Sequence, residues 1–296
     1  MMMSHLKPNP ETEMEETAVR IGNMAYEALL EEVYASPKPG LVDLYSTGAH
    51  KDMDVSTFEK SAAALKPYFA SMALEGLAFS GEPGQLFKQI RRIGISAEKA
   101  MYEATEGVNT HKGMIFHMGI LGAAAGACIS NGKRLTLETL LELEQSMVRE
   151  TLIKEVESMK EFSSHGEKNL EKYGTLGARG EAIRGYESVR NISLPVLRKR
   201  LNEGKDWNRI KLEALFFLMS QVDDSNILAR HNPQVLSEIK AMAGEFLKTT
   251  GVYVDSSIEV LKRMDGEFIK RNISAGGCAD LLAVTIFMEQ LIRNYE

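Results

Sequence analysis

GMIFHMGILGAAAGACIS, residues 113–130, is either a membrane span or the central helix of a folded domain. It runs eighteen residues without a formal charge, which reaches the lower length limit of a membrane-spanning helix. It is also crowded with Gly and Ala, carries His117 and has no companion segment of similar character elsewhere in the chain. A helix that is apolar all round and rich in small residues is expected at the centre of a helical protein, where neighbours pack closely against it. The segment therefore reads as a core helix, and no membrane partner is expected.

Helical patterns surround it on both sides. Residues 14–34 place Val19, Ile21, Met24, Ala25, Ala28 and Leu29 at helical spacing. Ser56 and Glu59 have the spacing of a capping box for a helix beginning near Thr57, which Pro67 should end or kink. Gly81 and Gly84 mark a turn before a helix over 85–103, and 137–160 interleaves acids with leucines. The polar run 163–180, with four glycines, predicts a mobile loop. Further helices are predicted over 180–189, 194–202, 206–222, 234–248, 257–271 and 279–294. No alternating strand pattern, long repeat or low-complexity linker interrupts the series, so the expectation is an all-α, single compact domain over 14–296, with 1–13 as a flexible tail.

Composition narrows the function. The 296 residues carry a formal net charge of −6 and no basic cluster, which argues against nucleic acid as a partner. Cys128 and Cys278 are far apart and form no CxxC pair, and the N-terminal residues lack a signal peptide's apolar core. A cytoplasmic protein with reduced thiols is expected.

Five polar clusters fall where helices should begin or end. The first lies in SPKPGLVDLYSTGAHKDMD (36–54), where Pro37 and Pro39 forbid a regular helix and Gly40 and Gly48 permit turns. It holds Lys38, Asp43, His50, Asp52 and Asp54. The others are Asn109-Thr110-His111-Lys112, Arg179-Gly180-Glu181, Asp223-Asp224-Ser225-Asn226 with Arg230, and Ser274-Ala275-Gly276-Gly277 with Asp280 one turn later. Each has an ordinary structural reading: Asp223-Asp224 can cap a helix, Glu181 can pair with Arg184, and Gly276-Gly277 can be a simple turn. Several mechanisms are excluded by spacing. His111 and His117 lie about 240° apart around a helix and cannot share a metal face. There is no HExxH, GxSxG or GxGxxG, and GACISNGKR (126–134) has the wrong glycine spacing and no Ser or Thr after Lys133 for a phosphate loop. The remaining inventory is oxygen-rich and suits Mg²⁺ with a phosphorylated substrate.

Taken in order, PKPGLVD (37–43), GAHKDMD (48–54), NTHKG (109–113), RGEA (179–182), DSN-x-L-x-R (224–230) and SAGGCADLLA (274–283) resemble the triphosphoribosyl-dephospho-CoA synthase family, whose members make the prosthetic-group precursor of citrate lyase and malonate decarboxylase. The resemblance spans about residues 32–283. Ala275 and Cys278 stand where the family commonly has Pro and Ser, and His231-Asn232 replaces a Gly-rich pair. The resemblance implies transfer of the triphosphoribosyl group of ATP to the ribose 2′-hydroxyl of 3′-dephospho-CoA, with release of adenine. On that reading Lys38, Asn109, Lys112, Arg179, Asn226 and Arg230 are expected at the phosphates, with backbone donors from the His111 turn and from Gly276 and Gly277. Mg²⁺ is expected with ATP, on some of Glu32, Asp43, Glu181, Asp223 and Asp224. Asp52 or His50 is the expected base, and His111 the third catalytic candidate. Two other readings stay open: a related all-α enzyme acting at a nucleoside C1′ with another acceptor or water, and a non-catalytic nucleotide-binding assembly factor. The apolar, small-residue helices would also suit a homodimer.

Overall fold

A computed structural model describes residues 10–159 and 165–296. The described residues form thirteen α-helices and one short π-helical turn, with no strand. The all-α expectation holds. The candidate core segment is α4 (Lys112–Ser130), and fourteen of its residues, from Met114 to Cys128, are buried. By length and composition it could cross a membrane, yet 78% of its apolar window is covered by the rest of the protein.

Small residues let α4 sit at the centre. The helices α1 (Pro10–Tyr34) and α2 (Val55–Leu77) pack against each other, and α2 lies along α4. A methyl group built on Gly76 would stand 2.0 Å from the carbonyl oxygen of Ala123, and one on Gly126 would stand 2.4 Å from that of Ala73. The two backbones therefore approach as only glycine allows. Also packed on α4 are α3 (Pro83–Ala104) and α5 (Leu137–Glu157), which pack on one another, and α3 packs on α2 as well. Next in the chain come the short α6 (His165–Tyr173) and α7 (Gly177–Ile183). A π-helical turn, Val189–Ser193, leads into α8 (Leu194–Asn202) and α9 (Trp207–Gln221). The chain finishes with α10 (Ser225–Arg230), α11 (Pro233–Thr249), α12 (Ser257–Lys270) and α13 (Gly276–Tyr295). Helix α13 crosses α1, α4 and α9, so one continuous apolar core reaches from Ala18 to Leu291.

Several local expectations are corrected. Residues 10–13 belong to the first turn of α1 and not to a tail, while 1–9 lie outside the described residues. Helix α2 is capped by Asp54, whose side chain accepts from the Thr57 amide while Thr57 Oγ1 accepts from the Asp54 amide. A Thr at the third position fills the role expected of Glu59. Pro67 does not end α2: Pro67 and Ala63, whose carbonyl loses its partner, are both exposed, so water can satisfy the freed oxygen. The loop expected over 163–180 is largely helical, as α6 and the start of α7, with 160–164 outside the described residues. Its glycines mark helix ends, since Gly174 and Gly177 have positive φ while Gly180 lies inside α7. The helix expected over 180–189 breaks at Gly185 and Tyr186, both of positive φ. Finally, α13 begins one turn early, with Gly276 and Gly277 inside its first turn.

Candidate active site

The loop over residues 35–54 is irregular but firmly held. Asn208 clamps Ser36 by accepting from its amide at 2.9 Å and donating to its carbonyl at 2.6 Å. Asp265 accepts from the Gly40 amide at 2.8 Å. Gly40 (φ +72) and Gly48 (φ +58) turn the chain, and a Cβ on either would collide with backbone at 2.2 Å and 2.5 Å respectively. Within the loop Asp43 accepts from the amides of Lys38, Tyr45 and Ser46, so both its oxygens organise the turn. Asp43 is buried and lines no cavity, and burial raises its pKa against the pull of those hydrogen bonds. It is a turn residue, not a metal ligand.

This loop forms one wall of a cleft of about 540 Å³. The N-termini of α4 and α13 open into it, and at neither does the N-cap residue's own side chain bond the helix amides. Free amides and aligned dipoles at such ends favour an anion. Basic side chains reinforce that preference: Lys112, Lys168, Arg179 and Arg230 all line the cleft. Arg230 donates to the carbonyl of Ala49 and to Asn272 Oδ1, both at 3.1 Å, which joins the loop to the approach to α13. Arg179 is paired with Glu167 at 3.3 Å, and Lys112 with Glu98 at 2.6 Å. Asn109 accepts from the Lys112 amide, and Asn226 lies so close to Gly276 that a methyl there would stand 2.6 Å from its side-chain nitrogen.

The histidines of the cleft have distinct surroundings. His50 hydrogen-bonds Ser274 Oγ at 3.1 Å and lies 3.4 Å from the Arg230 guanidinium. Burial and then that guanidinium lower its pKa, against the opposing charge of Asp52. His111 is buried at the start of α4. Its Nδ1 lies 2.7 Å from Ser61 Oγ, which accepts from Thr110; with the Ser61 proton given to Nδ1, Nε2 is the ring N–H. Burial, helped by the charge of Lys38, lowers the His111 pKa to about 3, so the ring is neutral near pH 7. Its Nε2 has no hydrogen-bond partner among the described residues. A neutral donor beside an anion cleft can contact substrate without titrating.

A second cavity of about 610 Å³ adjoins the first across Leu176, Gly177, Ala178, Ser225 and Asp280. Its walls are acidic, with Glu181, Glu187, Asp223 and Asp224 against Arg184. Most of these carboxylates have structural partners. Glu181 accepts from Arg184 and Ser188, while Asp223 is largely exposed and pairs with Lys240 at 2.8 Å. Asp224 is the N-cap of α10, accepting from the Asn226 and Ile227 amides, and its other oxygen accepts from the Cys278 amide of α13 at 2.8 Å. Burial raises its pKa while those three amides hold it down. One carboxylate thus fixes two helix ends that frame the cleft.

The expected site residues therefore divide. The cleft brings together Glu32, His50, Asn109, His111, Lys112, Arg179, Asn226, Arg230 and Gly276. Gly277, Glu181, Asp223 and Asp224 belong to the second cavity. Lys38 lies beneath the cleft wall, fully buried and bonded to both the carbonyl and the carboxylate of Glu32, so it cannot reach a phosphate. Asp52 is exposed and lines neither cavity. Of the five expected metal ligands, Glu181, Asp223 and Asp224 line the second cavity, Glu32 lines the first and Asp43 neither, and no three His, Cys, Asp or Glu among the described residues are arranged to hold a metal ion.

Comparison with known proteins agrees with the sequence motifs. Residues 18–296 match the family described as ATP:dephospho-CoA triphosphoribosyl transferase. The chain belongs to this family. A protein of Klebsiella pneumoniae named 2-(5''-triphosphoribosyl)-3'-dephosphocoenzyme-A synthase is 40% identical over 263 residues, covering 88% of this chain and 87% of its own. A protein of Escherichia fergusonii with the same name is 36% identical over 277 residues, 93% and 91% of the two chains. One of Vibrio cholerae serotype O1 (strain M66-2), named as a probable synthase of this kind, is 36% identical over 279 residues, 93% and 89% of the two chains. No solved structure matches the chain.

Sequence reasoning left Asp280 without a role, although it lines both cavities. Burial, then the charges of Glu32 and Asp224, raise its pKa well above its ordinary value. The signal was present: Asp280 is a charged residue inside the otherwise apolar run CADLLAVTIFM at 278–288. Such a placement is costly unless it serves the site.

Proposed function

We propose that this protein transfers the triphosphoribosyl group of ATP to the ribose 2′-hydroxyl of 3′-dephospho-CoA and releases adenine. The product on this reading is 2′-(5″-triphosphoribosyl)-3′-dephospho-CoA. The observation that carries the reading is the cleft itself, a basic pocket at two helix N-termini, in a chain whose family match covers residues 18–296. Arg179, Arg230, Lys112, Asn109, Asn226 and the Gly276 amide are the groups placed to hold phosphate oxygens, through charge-assisted hydrogen bonds. Mg²⁺ enters with ATP as part of the substrate, its ligands being phosphate oxygens and water.

Displacement at the anomeric carbon passes through an oxocarbenium-like state, which nearby carboxylates stabilise. Glu32 and Asp280 line the cleft, as does Glu167 in its pair with Arg179, and the first two can supply this field. His111 contributes a neutral Nε2–H donor, and His50 braces Arg230. The buried, unpaired Cys128 and Cys278 fit a reducing, cytoplasmic setting, and the net charge of −6 works against a nucleic-acid partner.

The test is chromatography of adenine from Mg·ATP with 3′-dephospho-CoA added or withheld. Adenine only in the complete mixture is the expected result. Adenine without the acceptor would replace this reading with hydrolysis at C1′. ATP binding with no adenine in either mixture would make the protein a nucleotide-binding factor.

A further inference from the structure

Every carboxylate around the two cavities for which a hydrogen bond or ion pair is seen is tied to a structural duty, and Asp280 is the exception. Glu32 holds Lys38, Asp43 folds the loop, Glu167 pairs with Arg179, Glu181 takes Arg184 and Ser188, Asp223 takes Lys240, and Asp224 caps two helices. No hydrogen bond or ion pair to Asp280 is found among the described residues. Yet its place is well defined. It lies in the second turn of α13, on the wall common to the basic cleft and the acidic cavity. Its Oδ2 fits against the first turn of α4 at a glycine: a methyl group on Gly113 would stand 2.7 Å from that oxygen. The start of α4 is bare where Asp280 needs room.

We propose that Asp280 is the catalytic carboxylate, accepting the proton of the attacking ribose hydroxyl as that oxygen bonds to C1′ of the ATP ribose. The inference rests on the transfer reaction proposed above. The new bond is oxygen to C1′, and the broken bond is C1′ to the adenine nitrogen, whose electron pair leaves with the base. Adenine takes a proton from solvent, and Asp280 returns its proton to solvent before the next turnover, so charge and protons balance. A bisubstrate reaction needs its base where both substrates reach, and the wall shared by two adjoining cavities is such a place. Neither residue expected from the sequence meets this requirement: Asp52 is exposed outside both cavities, and His50 already binds Ser274 beside Arg230.

Three variants of the full chain test the assignment. Asp280→Asn keeps shape and burial but cannot accept the proton. It is expected to lower acceptor-dependent adenine release by about 10²–10⁴-fold, the usual worth of a general base, with KM for ATP changed by no more than about threefold. Its melting temperature should not fall, because Asn keeps the shape of a carboxyl group whose charged form burial and the neighbouring Glu32 and Asp224 disfavour. Gly113→Ala, which moves the carboxylate without removing it, should give a smaller loss with helicity intact. Asp280→Ala should regain activity in proportion to added formate, which a purely structural side chain would not allow. A rate for Asp280→Asn within about threefold of wild type overturns the proposal, as does a collapse of its melting temperature. An Asp280→Ala variant that formate leaves inactive also overturns it. If wild type itself releases no adenine, the transfer reading fails and this assignment falls with it. If wild type is active and Asp280→Asn is too, only this assignment fails.

Discussion

The two adjoining cavities differ in charge far more than in size, at about 540 and 610 Å³. The first gathers Lys112, Lys168, Arg179 and Arg230 at two helix N-termini, and the second gathers Glu181, Glu187, Asp223 and Asp224. The contrast separates holding from reacting. A triphosphate that must survive intact belongs with fixed cations and amides, while a developing positive charge at C1′ belongs near carboxylates. Side chains on the acidic side also build the fold, because Asp224 and Glu181 secure helix ends as they shape the cavity.

The contrast breaks most completely at Asp224. Asp224→Ala removes the cap of α10 and the tie to α13 together, at about 1 kcal/mol for each lost cap. Urea melts should show about 2–4 kcal/mol of lost stability, and adenine release should fall to near background while most helicity remains. Unchanged stability would mean that the two helix ends are held by something else. On the basic side the effect is on binding. Arg230→Ala and Arg179→Ala should each raise KM for ATP by about 10–100-fold with a smaller change in kcat, as expected for a lost charge-assisted hydrogen bond. A KM that does not move would place the phosphates outside this cleft.

Histidine titration sharpens the comparison. His111 faces the basic cleft and His117 the acidic cavity, yet burial lowers both, to about 3 and about 4. Surrounding charge is the lesser influence. Each therefore contributes stability that is complete above the unfolded value of about 6.5 and is lost as pH falls toward the lowered folded value, at up to about 1.4 kcal/mol per pH unit. The drop in melting temperature between pH 7 and pH 5 should be smaller in His117→Gln than in wild type. Equal drops would show that His117 is charged in the folded protein. The smallest effects are expected at the rim. Lys112 is half exposed and paired with Glu98, so Lys112→Ala should cost about two- to fivefold in kcat/KM. Asp52→Asn should stay within about twofold, and a large loss there would return the base to the loop.

Much of this organisation could be read from the chain. The apolar run around His117 gave the central helix, and the Leu194–Asn202 helix was placed to the residue. The motif set located the cleft because polar residues at helix starts are needed wherever amides face a ligand. What escaped depended on three-dimensional surroundings. Pro67 sits inside α2 because its lost hydrogen bond faces water, which spacing does not report. The glycines of 163–180 looked like loop residues, but Gly166 and Gly180 lie inside short helices, Gly174 follows the end of α6 and Gly177 opens α7. Lys38 has the sequence context of a phosphate ligand, and only the fold reveals that Glu32 holds it below the surface. Asp280 gained meaning only when two cavities were seen to meet at it.

With the phosphates held on the basic side, the triphosphate should remain uncut while bonds change at C1′. Mass spectrometry of the complete reaction, with Mg·ATP and 3′-dephospho-CoA, checks this. One new species is expected, dephospho-CoA enlarged by an intact triphosphoribosyl group, in equal amount to free adenine. Release of phosphate or diphosphate in place of adenine, with no enlarged CoA species, would contradict that expectation.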